Sequence, residues 1–155
     1  MDTRWHLQSE SNHAFESGRA KKHRAPVSFA LGIKMSIVDH VNLPVKDLDR
    51  SRRFYQQALE PLGYRFLMQD GHAVGFGIEN WNFGLTQTEL SFPPMHLAFI
   101  AESQEHVRRF YAAALRAGGR TNGDPGLRPQ YHPAYFSAFV LDPDGHNIEA
   151  VHRGQ

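Results

Sequence analysis

Apolar and polar positions alternate along two short segments of the chain, "IVDHVNLPV" and "MHLAFIA". Successive side chains of a β-strand point to opposite faces, so this alternation predicts two half-buried strands. In the first segment Val41, Leu43 and Val45 share one face, and His40 lies on the other. In the second segment His96 occupies the corresponding polar position. Each strand is therefore expected to present one histidine away from its apolar face.

A helical pattern follows each of these strands. Asp47 and Ser103 are of residue types that cap helix N-termini, and the apolar residues after them recur at helical spacing. Gly63 and the pair Gly118-Gly119 then supply the residue type that commonly ends a helix. We therefore predict one amphipathic helix after each opening strand.

Short apolar segments separated by turn residues complete each half. They are "YRFLMQD", "HAVGFGI" and "FGLTQTE" after the first helix, and "RTN", "YFSAFVL" and "NIEAVH" after the second. A Gly- and Pro-rich stretch follows "RTN" and is long enough to act as a lid. The sequence Asp142-Pro143-Asp144-Gly145 predicts a structural type I turn before the last strand.

An internal duplication relates the two halves. "DHVNLPVKDLDRSRRFYQQALEPLGYRF" and "MHLAFIAESQEHVRRFYAAALRAGGRTN" align without a gap at a constant offset of 56 residues. His40 aligns with His96, and "RRFY" occurs in both copies. The expected fold is α+β, with two βαβββ modules at about residues 36–90 and 94–153. Neither module can bury a sheet face alone, so we expect a curved, incomplete barrel-like mixed sheet with the helices outside.

Residues 1–34 differ from the rest of the chain, because they show no sustained period and contain the basic cluster "GRAKKHR". We predict a flexible N-terminal arm there and a folded domain over residues 35–155. Met35 is an alternative start, which leaves open whether the arm is native. The arm holds six Lys or Arg against three acidic residues, and the remainder holds eleven against thirteen. The mildly acidic domain lacks the basic face that nucleic-acid binding requires.

Composition narrows the class of protein further. The chain has 155 residues, of which 41% are hydrophobic, and no apolar run approaches the roughly 18 residues of a membrane span. We therefore expect one compact domain without a membrane partner. The chain has no cysteine, which suits a cytoplasmic location and restricts any metal site to nitrogen and oxygen ligands.

Three side chains are candidates for such a site. His40 and His96 hold equivalent places in the two modules, and Glu149 lies in the apolar closing strand of the second module. An unpaired buried carboxylate is costly, so a cation is expected beside it. Two imidazoles and a carboxylate from three strands are typical of a divalent metal site with open positions. The alternative is that these are ordinary hydrogen-bonded or solvated side chains.

The segment "GLRPQYHPAYFSAF" supplies further candidates just before the strand that borders Glu149. His132 is a candidate general acid or base, with Tyr131 beside it as a second catalytic candidate. Arg128 and Tyr135 are candidates for substrate binding, as is Trp81 in the first module. The alternative is that the prolines of this segment stiffen a connection whose aromatic residues pack on the sheet.

At these residues the sequence resembles the glyoxalase, bleomycin-resistance and extradiol-dioxygenase superfamily, known as the vicinal oxygen chelate fold. The resemblance covers roughly residues 36–153 and is strongest in "DHVNLPVKDLDRSRRFY", in the pair of histidines and in "LDPDGHNIEAV". It implies that His40, His96 and Glu149 hold a divalent ion, which chelates neighbouring substrate oxygens and stabilises the charge that develops on them. The ion would be Fe, Mn, Zn or Ni.

The sequence departs from the glyoxalase I pattern, which adds a fourth carboxylate from the last strand of the first module. The alignment places Gly84 there, so a lactoylglutathione-lyase activity is in doubt. The three-ligand pattern is more similar to that of the dioxygenases, or of the fosfomycin-type thiol transferases. Non-catalytic sequestration of a drug or metabolite is the alternative function. A homodimer is expected, but family members pair their modules either within a chain or across a dimer.

Overall fold

The computed structural model describes residues 38–154, so the predicted arm at residues 1–34 lies outside the described residues. The described part forms eight strands and two α-helices. The strands are β1 (Val41–Val45), β2 (Arg65–Asp70), β3 (Ala73–Gly77), β4 (Trp81–Gln87), β5 (His96–Ile100), β6 (Arg120–Leu127), β7 (Tyr135–Leu141) and β8 (Asn147–Arg153). The helices are α1 (Leu48–Ala58) and α2 (Gln104–Arg116), and a short 3₁₀ helix (Glu60–Leu62) follows α1.

Two four-stranded sheets carry the fold, in the orders β1-β4-β3-β2 and β5-β8-β7-β6. In each sheet the opening strand runs parallel to the last strand of its module, and the other neighbours are antiparallel. The predicted α+β class and the two βαβββ modules are confirmed. Within residues 38–154 the two sheets do not close into a barrel.

Local sequence explains where the helices begin and end. The Asp47 side chain accepts a hydrogen bond from the N–H of Arg50, and Ser103 accepts one from the N–H of His106. Both predicted N-caps are therefore confirmed, and each satisfies a backbone donor that the helix leaves free. Gly118 follows α2 with φ 96°, a left-handed conformation that glycine adopts without steric cost.

The two modules share one hydrophobic core. Helix α1 packs against α2, and α2 also contacts the second sheet. Phe83 of β4 meets Phe99 of β5 edge to face, with ring centroids 5.2 Å apart. Tyr55 of α1 is fully buried and packs against Phe83 at 5.0 Å. The strands that carry the candidate site therefore rest on a common rigid support.

A turn from the second module also bonds to the first. Asp142, at the start of the β7–β8 turn (residues 142–146), accepts a hydrogen bond of 2.6 Å from the Tyr55 hydroxyl in α1. Burial raises the pKa of the Asp142 carboxyl, although this hydrogen bond opposes the increase. Burial and the neighbouring Asp142 raise the pKa of Tyr55 well above its ordinary value.

His146 bonds to both modules from the same turn. Its Nε2 donates to the carbonyl oxygen of Pro44 at 2.8 Å, and its Nδ1 accepts from the N–H of Met95 at 3.0 Å. The backbone partners thus select the tautomer that carries its proton on Nε2. Asp144 adds two acceptors, for the N–H of Lys46 and the hydroxyl of Ser51. The turn predicted to be structural therefore fixes one module against the other.

Strand β6 is longer than the sequence predicted, because it continues past "RTN" to Leu127. It is an edge strand with register shifts around Gly123, and an edge with bulges tolerates Pro125, which lacks an N–H. Only residues 128–134 remain as a loop. Hydrogen bonds between Arg128 and Tyr135 and between Tyr135 and His132 close it, so a compact hairpin loop replaces the predicted lid.

Candidate functional site

Glu149 lies at the centre of β8 with 3% of its surface exposed. The alternation of β8 places Ile148 and Ala150 in the core and turns Glu149 to the opposite face of the sheet. His96 Nε2 donates to one carboxylate oxygen at 3.0 Å, and the Tyr135 hydroxyl donates to the other at 2.9 Å. Two neighbouring strands therefore supply the polar partners that a buried carboxylate needs.

Strand register explains why these three side chains meet. In the parallel pair β5–β8, Ala98 lies opposite Glu149, so His96 is on the same face one pleat away. In the antiparallel pair β7–β8, Phe139 lies opposite Glu149. Tyr135 is two pleats from Phe139 on the same face, and its long side chain reaches back to the carboxylate. The sequence alone predicted this convergence for His96 and Glu149.

A cavity of about 580 Å³ opens over these residues. Its volume falls in the range of sites that hold small molecules. All of the residues that line it belong to the second module: His96, Tyr131, His132, Tyr135, Glu149 and Arg153.

Tyr135 contacts both charged residues of the cavity, Glu149 and Arg153. Burial is the main cause that raises the pKa of its hydroxyl, and the hydrogen bond to Glu149 adds to the increase. Arg153 opposes it as a hydrogen-bonding and cationic neighbour, with its guanidinium 5.3 Å from the centre of the Tyr135 ring. Tyr135 therefore remains a hydrogen-bond donor at neutral pH.

His40 lies apart from this cluster. It directly precedes β1, its Nδ1 bonds to Asp39 at 2.8 Å, and its ring lies 4.8 Å from the Trp81 ring. In residues 38–154 no three His, Cys, Asp or Glu side chains are grouped so that they could hold a metal ion. The structure thus brings together two of the three predicted ligands, His96 and Glu149, and places the third on the other module.

The other predicted site residues fall into two groups. Tyr131 and His132 line the cavity with Tyr135, and His132 Nδ1 accepts from the N–H of Ala134, which leaves Nε2 free to face a ligand. Arg128 is not among the lining residues. Its guanidinium donates to the carbonyl oxygen of Asp124 at 2.6 Å and lies over Phe139. Trp81 lies beside His40 and is 39% exposed. The roles assigned to these residues remain predictions.

The first module offers no carboxylate at the place that corresponds to Glu149. Gly84 of β4 pairs with Asn42 of β1, just as Glu149 pairs with Ala98 in the second module. A Cβ atom on Gly84 would lie 1.9 Å from the side-chain oxygen of Asn42. The register therefore agrees with the alignment that placed Gly84 at this position, and a neutral carboxamide fills the space.

Arg153 is a cavity residue that the sequence prediction missed. Alternation along β8 places Glu149, Val151 and Arg153 on one face, and this pattern was the signal that could have identified it.

Comparison with known proteins identifies the family. A model of the Glyoxalase/Bleomycin resistance protein/Dioxygenase superfamily matches residues 37–150. The chain belongs to this superfamily. A solved structure from the same superfamily, a glyoxalase/bleomycin resistance protein from Albidiferax ferrireducens, is 31% identical with a TM-score of 0.68. The match covers 76% of this chain and 100% of that protein.

Relatives within the superfamily carry different names. A putative lactoylglutathione lyase from Brassica oleracea var. gemmifera is 29% identical over 128 residues, which cover 74% of this chain and 44% of the plant protein. The chain thus spans less than half the length of that relative. The uncharacterized protein YqjT from Bacillus subtilis (strain 168) is 28% identical, and the match covers 72% of this chain and 95% of that protein.

The part of the chain that the structure describes contains no helix with the length and apolar character needed to span a membrane.

Proposed function

We propose that this protein is a metal-dependent enzyme of the glyoxalase and dioxygenase superfamily, which acts on a small substrate held through two neighbouring oxygens. His40, His96 and Glu149 are the proposed ligands of a divalent ion, Fe, Mn, Zn or Ni. We place the enzyme in the cytoplasm as a homodimer. The reaction would be that of a lyase, a dioxygenase or a transferase.

The observation that supports this proposal is the buried Glu149 carboxylate in contact with His96. The donors are one carboxylate oxygen and one imidazole nitrogen on a shared face, which suits Fe, Mn, Zn or Ni. Tyr135 holds the second carboxylate oxygen and so fixes the orientation of the group. The donor set fits a divalent ion once a second imidazole is supplied.

The proposed site needs His40 from a second copy of the chain. His40 and Trp81 form one half of a site on the first module, and His96 and Glu149 form the other half on the second. Both opening strands, β1 and β5, lie at sheet edges. Ile100 of β5 is 85% exposed, which is unusual for an isoleucine in an edge strand without a covering partner.

The proposed roles follow from the contacts of each side chain. When bound, the ion would act as a Lewis acid toward substrate oxygens. Tyr135 orients the Glu149 carboxylate, because its hydroxyl donates a hydrogen bond to one carboxylate oxygen. His132 has a free Nε2 at the cavity and would exchange a proton with the substrate, with Tyr131 as the alternative group.

Metal content of the purified protein tests the metal proposal. Each proposed site combines residues of two copies, and a homodimer contains two such sites. We therefore expect about one ion per chain in protein prepared without chelator. Glu149→Gln should lose most of this metal, because it removes the anionic ligand. Glu105→Gln is the control, since Glu105 pairs with Arg109 on the surface of α2. Full occupancy in Glu149→Gln would contradict the proposal.

Mixing two defective variants tests whether the site is shared between copies. His40→Ala and Glu149→Gln should each bind metal poorly alone. A mixed dimer restores one complete site, made of His96 and Glu149 from one copy and His40 from the other. The expected result is one tightly bound ion per mixed dimer, measured on mixed dimers isolated after exchange. No recovery in a mixed dimer of confirmed composition would contradict the shared site.

Sequestration of a small molecule is the second candidate function. The perpendicular contact of Tyr131 with Tyr135, with ring centroids 5.3 Å apart, favours it because such rings bind flat or cationic molecules. A protein that stays free of metal but binds aromatic or cationic drugs would support sequestration over catalysis.

A further inference from the structure

The acidic and the basic side chain in the cavity of the second module differ in how far their charges are paired. Glu149 is the one carboxylate among the residues that line it, and His96 and Tyr135 occupy both of its oxygens. Arg153 lines the same cavity, and among residues 38–154 it forms no salt bridge with a carboxylate. Its guanidinium rests against the Tyr135 ring instead. The cavity therefore contains a cation whose charge the described part of the chain does not balance.

Arg153 is held close to the proposed metal ligand. The Tyr135 hydroxyl donates to Glu149 at 2.9 Å, and the Arg153 guanidinium lies 5.3 Å from the centre of the same tyrosine ring. One side chain, Tyr135, thus contacts both the carboxylate and the guanidinium. An anion bound by Arg153 would lie in the same cavity as oxygens bound beside Glu149.

The other arginine near this face is engaged. Arg128 donates to the carbonyl oxygens of Asp124 and Leu127 and lies over Phe139, outside the lining of the cavity. Guanidinium groups bind carboxylates and phosphates through two parallel hydrogen bonds, and this needs a planar edge that faces the ligand. Arg153 meets this requirement better than Arg128.

We propose that Arg153 binds an anionic group of the substrate, so that the substrate is a small organic anion with its carboxylate or phosphate near the chelating oxygens. The inference rests on the proposed function for the chelating part. The anion site itself depends only on Arg153 and the cavity. With the proposed ion in place, the site would carry two positive groups and one carboxylate, which further favours an anionic substrate.

Three matched ligands test the proposal with the metal-loaded protein in calorimetric titrations: 3,4-dihydroxybenzoate, the uncharged 3,4-dihydroxybenzamide, and 4-phosphonocatechol. All carry neighbouring oxygens, but only two carry an anion. Wild-type protein should prefer the anionic ligands over the amide by about tenfold or more. The affinities of the carboxylate and the phosphonate ligand are then compared with each other, which shows which anion the site prefers.

Variants assign the preference to a residue. Arg153→Gln should abolish the preference for anions and leave metal content unchanged. Arg108→Gln is the matched control, because Arg108 stacks on Phe136 of the same strand but on the opposite face from Tyr135. It removes an equal charge and should keep the preference. Equal affinities in wild type, or a preference that Arg128→Gln rather than Arg153→Gln removes, would overturn the assignment.

A metal-free arm separates this inference from the proposed function. Benzoate and benzamide are compared in protein treated with chelator, by chemical shift changes in nuclear magnetic resonance spectra. A benzoate preference that Arg153→Gln removes would support the anion site even if no metal ever binds. Equal responses to both compounds, together with equal affinities in the metal-loaded arm, would refute it.

Discussion

At the scale of single residues, Tyr135 orients the carboxylate of Glu149. Its hydroxyl is one of two partners of a carboxylate that water barely reaches. An exposed tyrosine elsewhere on the sheet would have no such influence. The chemistry of the cavity therefore depends on a residue that need not itself touch a metal.

Tyr135→Phe should weaken metal binding by about 10- to 100-fold, the usual effect of losing a group that orients a metal ligand. The fold should be retained, because the ring remains. Competition with a chelator measures the affinity. Tyr131→Phe is the control, since Tyr131 packs against Tyr135 but is 64% exposed. Equal effects of both substitutions would show that the hydrogen bond to Glu149 is unimportant.

Tyr55 governs the response of the fold to alkaline pH. Its native pKa lies well above the ordinary value of 10.0, so the native state keeps a proton that the unfolded chain loses. Stability from this group is complete below pH 10 and falls as the pH rises toward the native pKa. The folded protein should therefore lose stability from about pH 10 upward.

Tyr55→Phe should cost about 1–3 kcal/mol at pH 7, because Asp142 loses a buried hydrogen bond. The variant should also lose less stability than wild type above pH 10, as measured by urea unfolding at several pH values. Tyr64→Phe serves as a comparison, since Tyr64 is a second tyrosine packed against the core and meets Phe99 edge to face. An identical alkaline slope in wild type and Tyr55→Phe would contradict the assignment.

At the scale of elements, glycines shape the hairpin β3–β4 in two different ways. A Cβ on Gly77 would lie 1.9 Å from the backbone oxygen of Asn80, which cannot move without opening the hairpin. A Cβ on Gly84 would clash with the side chain of Asn42, which is exposed and can turn away, and its backbone contact with Val74 would be an ordinary one. The two positions therefore tolerate substitution differently, although both lie in well-paired strands.

Gly77→Ala should destabilise the fold by about 1–3 kcal/mol through backbone strain, and Gly84→Ala by less than about 1 kcal/mol. Chemical denaturation of the two variants checks the order. A larger effect for Gly84→Ala would show that Asn42 is fixed in place. In that case Asn42→Ala combined with Gly84→Ala should recover the lost stability.

Element order was accessible from the sequence because the signals were local. Asp47 and Ser103 begin the helices as predicted, and "YFSAFVL" forms β7 with the expected bounds. Strand β6 was underestimated, since Pro125 and two glycines normally interrupt a strand and only an edge position tolerates them. The hydrogen bond between Tyr135 and Glu149 was also not predictable, because the register between two strands of a hairpin cannot be read from the sequence of either strand alone.

At the scale of the whole molecule, the β7–β8 turn couples the modules. The duplication predicted two similar units with a common core, but the way they are joined was not predictable. The connection between the modules depends on His146, and the residues around it in the sequence do not distinguish it from other loop histidines. Its two backbone partners are 51 and 102 residues away in sequence, far outside any local pattern.

His146→Ala should destabilise the protein by about 2–4 kcal/mol, because it removes a fully buried side chain and takes the hydrogen-bond partner away from the Pro44 carbonyl and the Met95 N–H. We also expect a broader unfolding transition, as the modules become less tightly coupled. Urea unfolding followed by circular dichroism measures both effects. His72→Ala, at an exposed turn, should change neither.

The pairing of Gly84 with Asn42 has a consequence for chains that would be built from two copies of the same half. The two halves share a sequence repeat, but only the later one carries an acid at the matching place. A chain built from two first halves would gather histidines with no carboxylate, and a chain built from two second halves would crowd a pair of acids together. In the proposed site, only a junction between unlike halves gives one acid for two imidazoles, so the two halves are complementary and not interchangeable.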